Sequence, residues 1–313
     1  MQRILERGEI ESLDHTKIPR LRLPEGGTVF AERAARLRQL SAGHAAAAYL
    51  QLMAQIADIQ HRLLPDCPAP TLDPEALQLA QAHGMPPLQA IGRERDPSWR
   101  HVLQALLDQL AGLDTLTPQT RSVMTQLQTL RTQSPDDLES LADAILAERD
   151  ADIDCQQAPF IMAALQVYWT AQASRLDPVQ VPHGTPFGTC PVCGSLPVAS
   201  IQRVGGTRDG LRFLCCSLCA TEWHVVRVTC THCENNKSIL YHSIEGGPEA
   251  IQAESCDECH SYRKLFNQEK DLEVEPVADD LASIPLDVLM GEAGYSRASG
   301  NPLLWQGAAA TSE

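Results

Sequence analysis

No apolar run in this 313-residue chain is long enough to cross a bilayer. The best candidate, Ile161 to Ala173, is interrupted by Gln166 and Gln172 and falls short of the roughly 20 residues that a spanning helix needs. Met1 to Ile10 lack the apolar centre of a secretory signal, so the expectation is a cytoplasmic chain, not an integral membrane protein. Positive charge is in deficit: 25 Lys and Arg face 40 Asp and Glu, a formal net charge of −15. Nucleic-acid binding needs a basic stripe to neutralise phosphates, and none is present, so no nucleic-acid partner is expected. The acidic balance suits a soluble protein-binding role. The sequence also offers no nucleophile–base constellation, no phosphate-cradling glycine loop and no H-E-x-x-H. Gly205-Gly206 and Gly246-Gly247 read as turns. An enzyme is therefore not expected.

What the chain does have is cysteine in register. Eight of its 11 cysteines form four C-x-x-C pairs: Cys190/Cys193, Cys216/Cys219, Cys230/Cys233 and Cys256/Cys259. The last two pairs repeat the first two at an offset of 40 residues, so C-x2-C-x22-C-x2-C occurs twice with ten residues between the copies. Two residues between cysteines let both sulfurs converge from one tight turn. Pro191 pre-sets φ in the first turn, and Gly194 tolerates a positive φ after its second cysteine. Two such knuckles around a hairpin suit one tetrahedral metal ion, which makes two ions per chain. Disulfides are the competing reading, but a reducing cytoplasm disfavours them. A thioredoxin-like motif needs one C-x-x-C at a strand–helix junction, not four on hairpins.

Spacing does not choose between zinc and iron, since four thiolates accept either. A divalent ion leaves each site near −2, so N–H···S bonds and the cations Arg203, Arg212, Arg227, Lys237, Arg263 and Lys264 are candidates to balance it. Hairpin-length spacers favour sequential ligand sets, Cys190, Cys193, Cys216 and Cys219, then Cys230, Cys233, Cys256 and Cys259. A cross-braced arrangement would exchange the middle pairs. Cys215 adjoins Cys216 but breaks the repeat. Cys67 and Cys155 read as small buried hydrophobes, and His224, His232 and His260 as neighbours of sites that cysteine already completes.

The fold expectation is α+β: a helical N-terminal domain followed by two tandem rubredoxin-like or zinc-ribbon modules. Residues 1–24 form an N-terminal extension and residues 25–175 the helical domain. Apolar spacing there marks a helix from about Ala31 through Leu64, interrupted or bent near Gly43, one opened by Asp96-Pro97 with a stripe from Trp99 to Leu110, one opened by Ser134-Pro135, and a buried one from about Ala158 to Arg175. Residues 176–188, rich in proline and glycine, read as a linker. The ribbons then occupy 189–228 and 229–275. Pro197–Arg203 with Leu211–Leu214, and Ser238–Ile244 with Ala250–Ala253, are their hairpin strands, packed by Phe213 and Trp223. A strand at Leu272–Glu275, a short helix from Ala278 to Ala293 and a frayed end beyond Gly307 complete the reading, the last two within a segment of 276–313.

Certain runs go further. Cys190-Pro-Val-Cys-Gly-Ser-Leu-Pro-Val-Ala199, Glu222-Trp-His-Val-Val-Arg-Val-Thr-Cys-Thr-His-Cys233, Glu234-Asn-Asn-Lys-Ser238 and Asp280-Leu-Ala-Ser-Ile-Pro-Leu-Asp-Val-Leu-Met290 resemble the formate dehydrogenase accessory protein FdhE family. Glu292-Ala-Gly-Tyr295, Asn301-Pro-Leu-Leu304, Arg33–Ser41 and Tyr49–Met53 extend the likeness over essentially the whole chain. The resemblance implies a cytoplasmic assembly factor that contacts the catalytic subunit of respiratory formate dehydrogenase before export. It also implies that the C-x-x-C motifs bind iron, in preference to zinc, in a rubredoxin-like way. An iron–thiolate redox or oxygen-sensing protein of the rubredoxin type is the alternative, and a homodimer stays open.

Overall fold

Two helix starts in the first half are set by proline with a polar cap. A computed structural model of the chain describes residues 18–68, 70–149, 152–182, 187–205 and 209–305. Its first seven helices are α1 (Val29–Ser41), α2 (Ala47–Leu63), α3 (Pro74–Ala82), α4 (Trp99–Ala111), α5 (Pro118–Gln133), α6 (Pro135–Leu146) and α7 (Ala158–Ala173). At α3 the Asp73 carboxylate accepts the Glu75 N–H at 3.0 Å, and at α5 the Thr117 hydroxyl accepts the Thr120 N–H at 3.1 Å, each ahead of a proline in the first turn. The helical stretch expected across residues 31–64 is interrupted near Gly43 and forms two helices, because Gly43 takes φ +72° and the chain turns before restarting at Ala47. The helix expected to open at Asp96-Pro97 begins at Trp99 instead. Asp96 accepts the Ser98 N–H at 2.8 Å and closes a turn of its own first. The stripe from Trp99 to Leu110 is buried as the spacing requires, and every residue of α7 is buried between its neighbours. Among the described residues, no helix is long and apolar enough to cross a membrane.

The second half is one sheet. Its strands are β1 (Leu21–Arg22), β2 (Pro197–Arg203), β3 (Leu211–Cys216), β4 (Glu222–His224), β5 (Ile239–His242), β6 (Ile251–Cys256), β7 (Ser261–Asn267) and β8 (Ser296–Arg297). The order is β1-β4-β3-β2-β7-β6-β5, with β8 pairing beside β7. Each ribbon is antiparallel within itself. The two are joined by a parallel contact of β2 with β7, in which Ser200, Ile201 and Gln202 lie opposite Leu265, Phe266 and Asn267. The hairpin turn of the first copy lies partly outside the described residues, Gly206 included.

Segments read as accessory are built in. Leu21 and Arg22, from the expected N-terminal extension, pair with Trp223 and Glu222 on β4. Within the expected linker, Arg20 donates to the carbonyls of Pro178 (2.8 Å), Val181 (2.9 Å) and Pro182 (3.0 Å). Residues 1–17, 183–186 and 306–313 fall outside the described residues, and with them Met1 to Ile10 and the end beyond Gly307. The strand expected at Leu272–Glu275 is a turn. Glu275 there caps α8 (Pro276–Ala282) by accepting the Ala278 N–H at 2.7 Å. The single helix expected across 278–293 is α8 and α9 (Ile284–Glu292), broken where Pro285 lacks the N–H that continuation needs.

Helices and ribbons share one hydrophobic core that runs from Phe30 through α7 to Cys219 and Leu303. Polar ties cross it. Arg36 forks onto the Asp279 carboxylate at 2.7 and 2.9 Å and reaches Asp271 at 2.8 Å, while Arg33 pairs with Glu275 at 3.0 Å. Gln166 on α7 donates to the Ser217 carbonyl at 2.7 Å. The N–H groups of Leu88 and Ala90 donate to the carbonyls of Val192 and Cys193, both at 2.9 Å. The bonds to Ser217, Val192 and Cys193 fix both knuckles of the first ribbon against the helical half, and the arginine pairs fix the segment around α8.

Candidate metal centres

Each knuckle is a short turn closed by its own backbone. In the first, Gly194 N–H donates to Cys190 C=O at 2.8 Å and Cys190 N–H to Ser195 C=O at 2.9 Å. Forty residues on, Glu234 donates to Cys230 at 3.0 Å and Cys230 to Asn235 at 2.7 Å. The residue after the second cysteine is left-handed in all four knuckles: Gly194 at φ +79°, Ala220 at +56°, Glu234 at +63° and His260 at +50°. Only the first uses glycine, so three side chains carry strain that the turn imposes.

These turns bring the sulfurs together. Cys190 Sγ lies 3.6 Å from Cys219 Sγ and Cys193 Sγ lies 3.4 Å from Cys216 Sγ. In the second copy, Cys230–Cys259 and Cys233–Cys256 are both 3.7 Å apart. Within each group all four sulfurs lie within 4.8 Å of one another. A tetrahedron with metal–sulfur bonds of about 2.3 Å has sulfur–sulfur edges of about 3.8 Å, so each group can hold one metal ion. The groups are the sequential sets, and no histidine belongs to either. Cys215 turns away, buried, with its sulfur 3.7 Å from Glu222. Cys67 is buried and Cys155 half-buried, far from either group in sequence.

Hydrogen-bond donors also converge on sulfur. The N–H groups of Leu218 and Cys219 point at Cys216 Sγ, both at 3.4 Å, and those of His232 and Cys233 at Cys230 Sγ at 3.4 and 3.5 Å. Thr221 Oγ1 lies 3.2 Å from Cys219 Sγ and Ser261 Oγ lies 3.0 Å from Cys259 Sγ, at equivalent places in the repeat. The expected cations mostly serve elsewhere. Arg203 pairs with Glu222 and Arg212 with Glu254 at 2.9 Å, both carboxylates of the same sheet, and Lys264 pairs with Asp287 of α9 at 2.6 Å. Arg227 bonds the Gly210 carbonyl. Arg263 comes nearest to a site, donating to Thr231 Oγ1 between Cys230 and Cys233 at 3.0 Å.

Protonation shows what the groups need. Burial pushes the Cys190 and Cys216 thiols well up. Cys193 goes well down, because hydrogen bonds from the other three thiols and Ser195 outweigh its own burial. In the second group burial raises Cys259, but Ser261 and the neighbouring thiols outweigh it and bring the thiol to about 7. Cys233 is stabilised as thiolate by the Asn235 backbone, yet burial and the adjacent thiols carry it up to about 12. A cluster without a cation thus favours one thiolate among thiols, and four thiolates require an ion. The two sites differ in access. All four cysteines of the first are buried, whereas Cys233 is exposed and Cys259 half-exposed in the second.

The same organisation recurs in known proteins. Family models described as FdhE, N-terminal, FdhE, central domain, and FdhE, C-terminal domain match residues 18–185, 189–227 and 228–304. The chain belongs to the FdhE family. A protein FdhE homolog from Edwardsiella ictaluri is 42% identical over 290 residues, 92% of each chain. Protein FdhE of Escherichia coli K12 is 40% identical over 304 residues, 96% of each chain. The crystal structure of the FdhE protein from Pseudomonas aeruginosa superposes with a TM-score of 0.83 at 39% identity, covering 93% of this chain and 100% of that one. In this chain the FdhE fold is a helical half and a two-ribbon sheet with a tetracysteine group in each ribbon. Sequence reading found both groups but not the parallel joint between them. Its one signal was the Arg263-Lys264 pair inside an otherwise apolar strand, a place where cations need buried partners.

Proposed function

We propose that this chain is a cytoplasmic assembly factor that binds the catalytic subunit of a respiratory formate dehydrogenase during maturation, before export. Cys190, Cys193, Cys216 and Cys219 hold one ion, and Cys230, Cys233, Cys256 and Cys259 hold a second, iron in preference to zinc. Family membership supplies the enzyme. The observation that carries a binding role is the closure of both tetrahedra: four sulfurs leave no open coordination position for a substrate, so the ions fix a surface and perform no hydrolysis. Iron bound to four sulfurs would supply one-electron chemistry. The residues themselves hold the knuckles rigid through the N–H···S bonds at Cys216 and Cys230. An anaerobic preparation should carry two ions per chain and retain the catalytic subunit in a pull-down. Well under two ions, or no retention, sinks this reading. The exposed Cys233 favours a second, redox reading, since electrons reach a surface site readily. Ferric–thiolate bands in the visible after mild oxidation would support it, and a colourless zinc protein would end it.

A further inference from the structure

The sheet has unequal ends. At one, β4 is covered by β1; at the other, β5 has no strand on its outer side among the described residues. Asp257 N–H donates to Ser238 C=O at 3.0 Å, so Ser238 and then Leu240 and His242 turn their backbone groups toward β6. Ile239 and Tyr241 must present theirs outward. Leu240 and Tyr241 are also exposed, at 46% and 44%, with Val228 exposed at 49% where the Tyr241 hydroxyl reaches its backbone. No proline or lysine within β5 guards this edge.

The sister ribbon shows what such an edge receives. Leu214 pairs with Ser200 in the first copy, and its 40-residue counterpart Glu254 pairs with Tyr241 in the second. Tyr241 thus holds the ladder place of Ser200, and the outer side of Ser200 is filled by Leu265 of β7, in parallel. The filling strand reads Ser-Tyr-Arg-Lys-Leu-Phe-Asn, basic and then apolar. Charge around the free edge matches that chemistry. Glu234, Asp257 and Glu258 lie at its Ser238 end and Glu245 past the other, all exposed, against the exposed cation Lys237 beside Ser238, so the edge is acidic on balance. We propose that β5 is the docking edge for an extended segment of the catalytic subunit, with basic residues ahead of apolar ones, which adds to the sheet as a parallel strand beside Ile239–His242.

This rests on the assembly-factor reading and names its surface. Backbone bonds from Ile239 and Tyr241 would supply affinity, and the faces of Leu240 and of Tyr241 with Val228 would select alternate side chains. The second ion bears on the same edge, because Ile239 lies opposite its ligand Cys256.

The test uses the anaerobically prepared full chain and the purified catalytic subunit. Tyr241→Pro removes an outward N–H without touching the β6 ladder and should weaken binding about tenfold or more, with metal content unchanged. Hydrogen exchange on the wild type, which needs no variant to fold, should show the Ile239 and Tyr241 amides gaining protection in the complex. Wild-type binding with neither effect would overturn this inference alone; no binding by the wild type would overturn the assembly-factor reading with it. Protection that instead rises with the concentration of the free chain would name a second copy as the occupant and overturn the assignment.

Discussion

Chelation should strip the two tetracysteine sites in a fixed order, the exposed one first. Two thiolates about 3.5 Å apart repel by about 5 kcal/mol at an effective dielectric of about 20. At the outer limit of 4.8 Å the repulsion is still about 3.5 kcal/mol. Over the six pairs of a tetrahedron the sum is on the order of 25 kcal/mol, beyond the 5–15 kcal/mol that hold an ordinary domain together. The first site lies in the main core with Cys190, Cys193 and Cys219 at 0% exposure, so it has no water to screen that repulsion. Its ion can leave only with proton uptake or local unfolding. At the second site water reaches Cys233 and Cys259, and screening is strong. The assay follows ion release colorimetrically with a competing chelator, with far-ultraviolet circular dichroism recorded in parallel. One ion should leave in a fast phase with helix content unchanged, the other only with unfolding. Cys233→Ser should abolish the fast phase and leave the slow one. Release of both ions in a single phase, or a fast phase that survives Cys233→Ser, would refute the reasoning.

Other outcomes follow from single residues. Glu234→Gly and His260→Gly should each raise the denaturation midpoint, by about 1 kcal/mol, because both sit at positive φ where Gly194 stands in the first knuckle; Gly194→Ala should cost a similar amount. Burial alone would raise the Asp280 carboxyl, but Lys264, Arg297 and Asn301 hold it below the ordinary carboxylate range. A lowered folded value stabilises above the unfolded value near 3.9 and is lost as pH falls through the folded one. Chemical denaturation should therefore show wild type more stable than Asp280→Asn at pH 6, with the gap closing below about pH 4. Gln166→Ala removes the donor to Ser217 C=O and the acceptor of the Gln60 side-chain amide, and a loss of about 2 kcal/mol should appear as a lower Tm.

What the sequence revealed, it revealed through periodicity. The repeat of C-x-x-C located both sulfur groups because two intervening residues dictate one turn, whatever surrounds it. The stripe from Trp99 to Leu110 located a buried face for the same local reason. Illegible features depended on partners distant in the chain. Nothing near Leu21 says that it will lie against Trp223, and nothing in β2 says that β7 will join it in parallel. The proline-rich stretch after Ser174 read as loose because its bonds are supplied by Arg20, more than 150 residues earlier. The free edge at β5 was equally hidden, since an unpaired strand and a paired one have the same composition.

The bond from β1 to β4 has a consequence for how the molecule comes into being. Synthesis delivers the helices first, yet the strand that precedes them waits for residues some 200 positions later before it has a partner. Arg36 waits longer still, for Asp271 and Asp279, and Tyr49 for the carbonyl of Leu303. Contacts so remote are slow to form, because the chain must close long loops before any contact stabilises them. The helical half emerges from the ribosome with the faces that later meet the ribbons still open. Its final closure comes near the end of translation and should set the pace of folding.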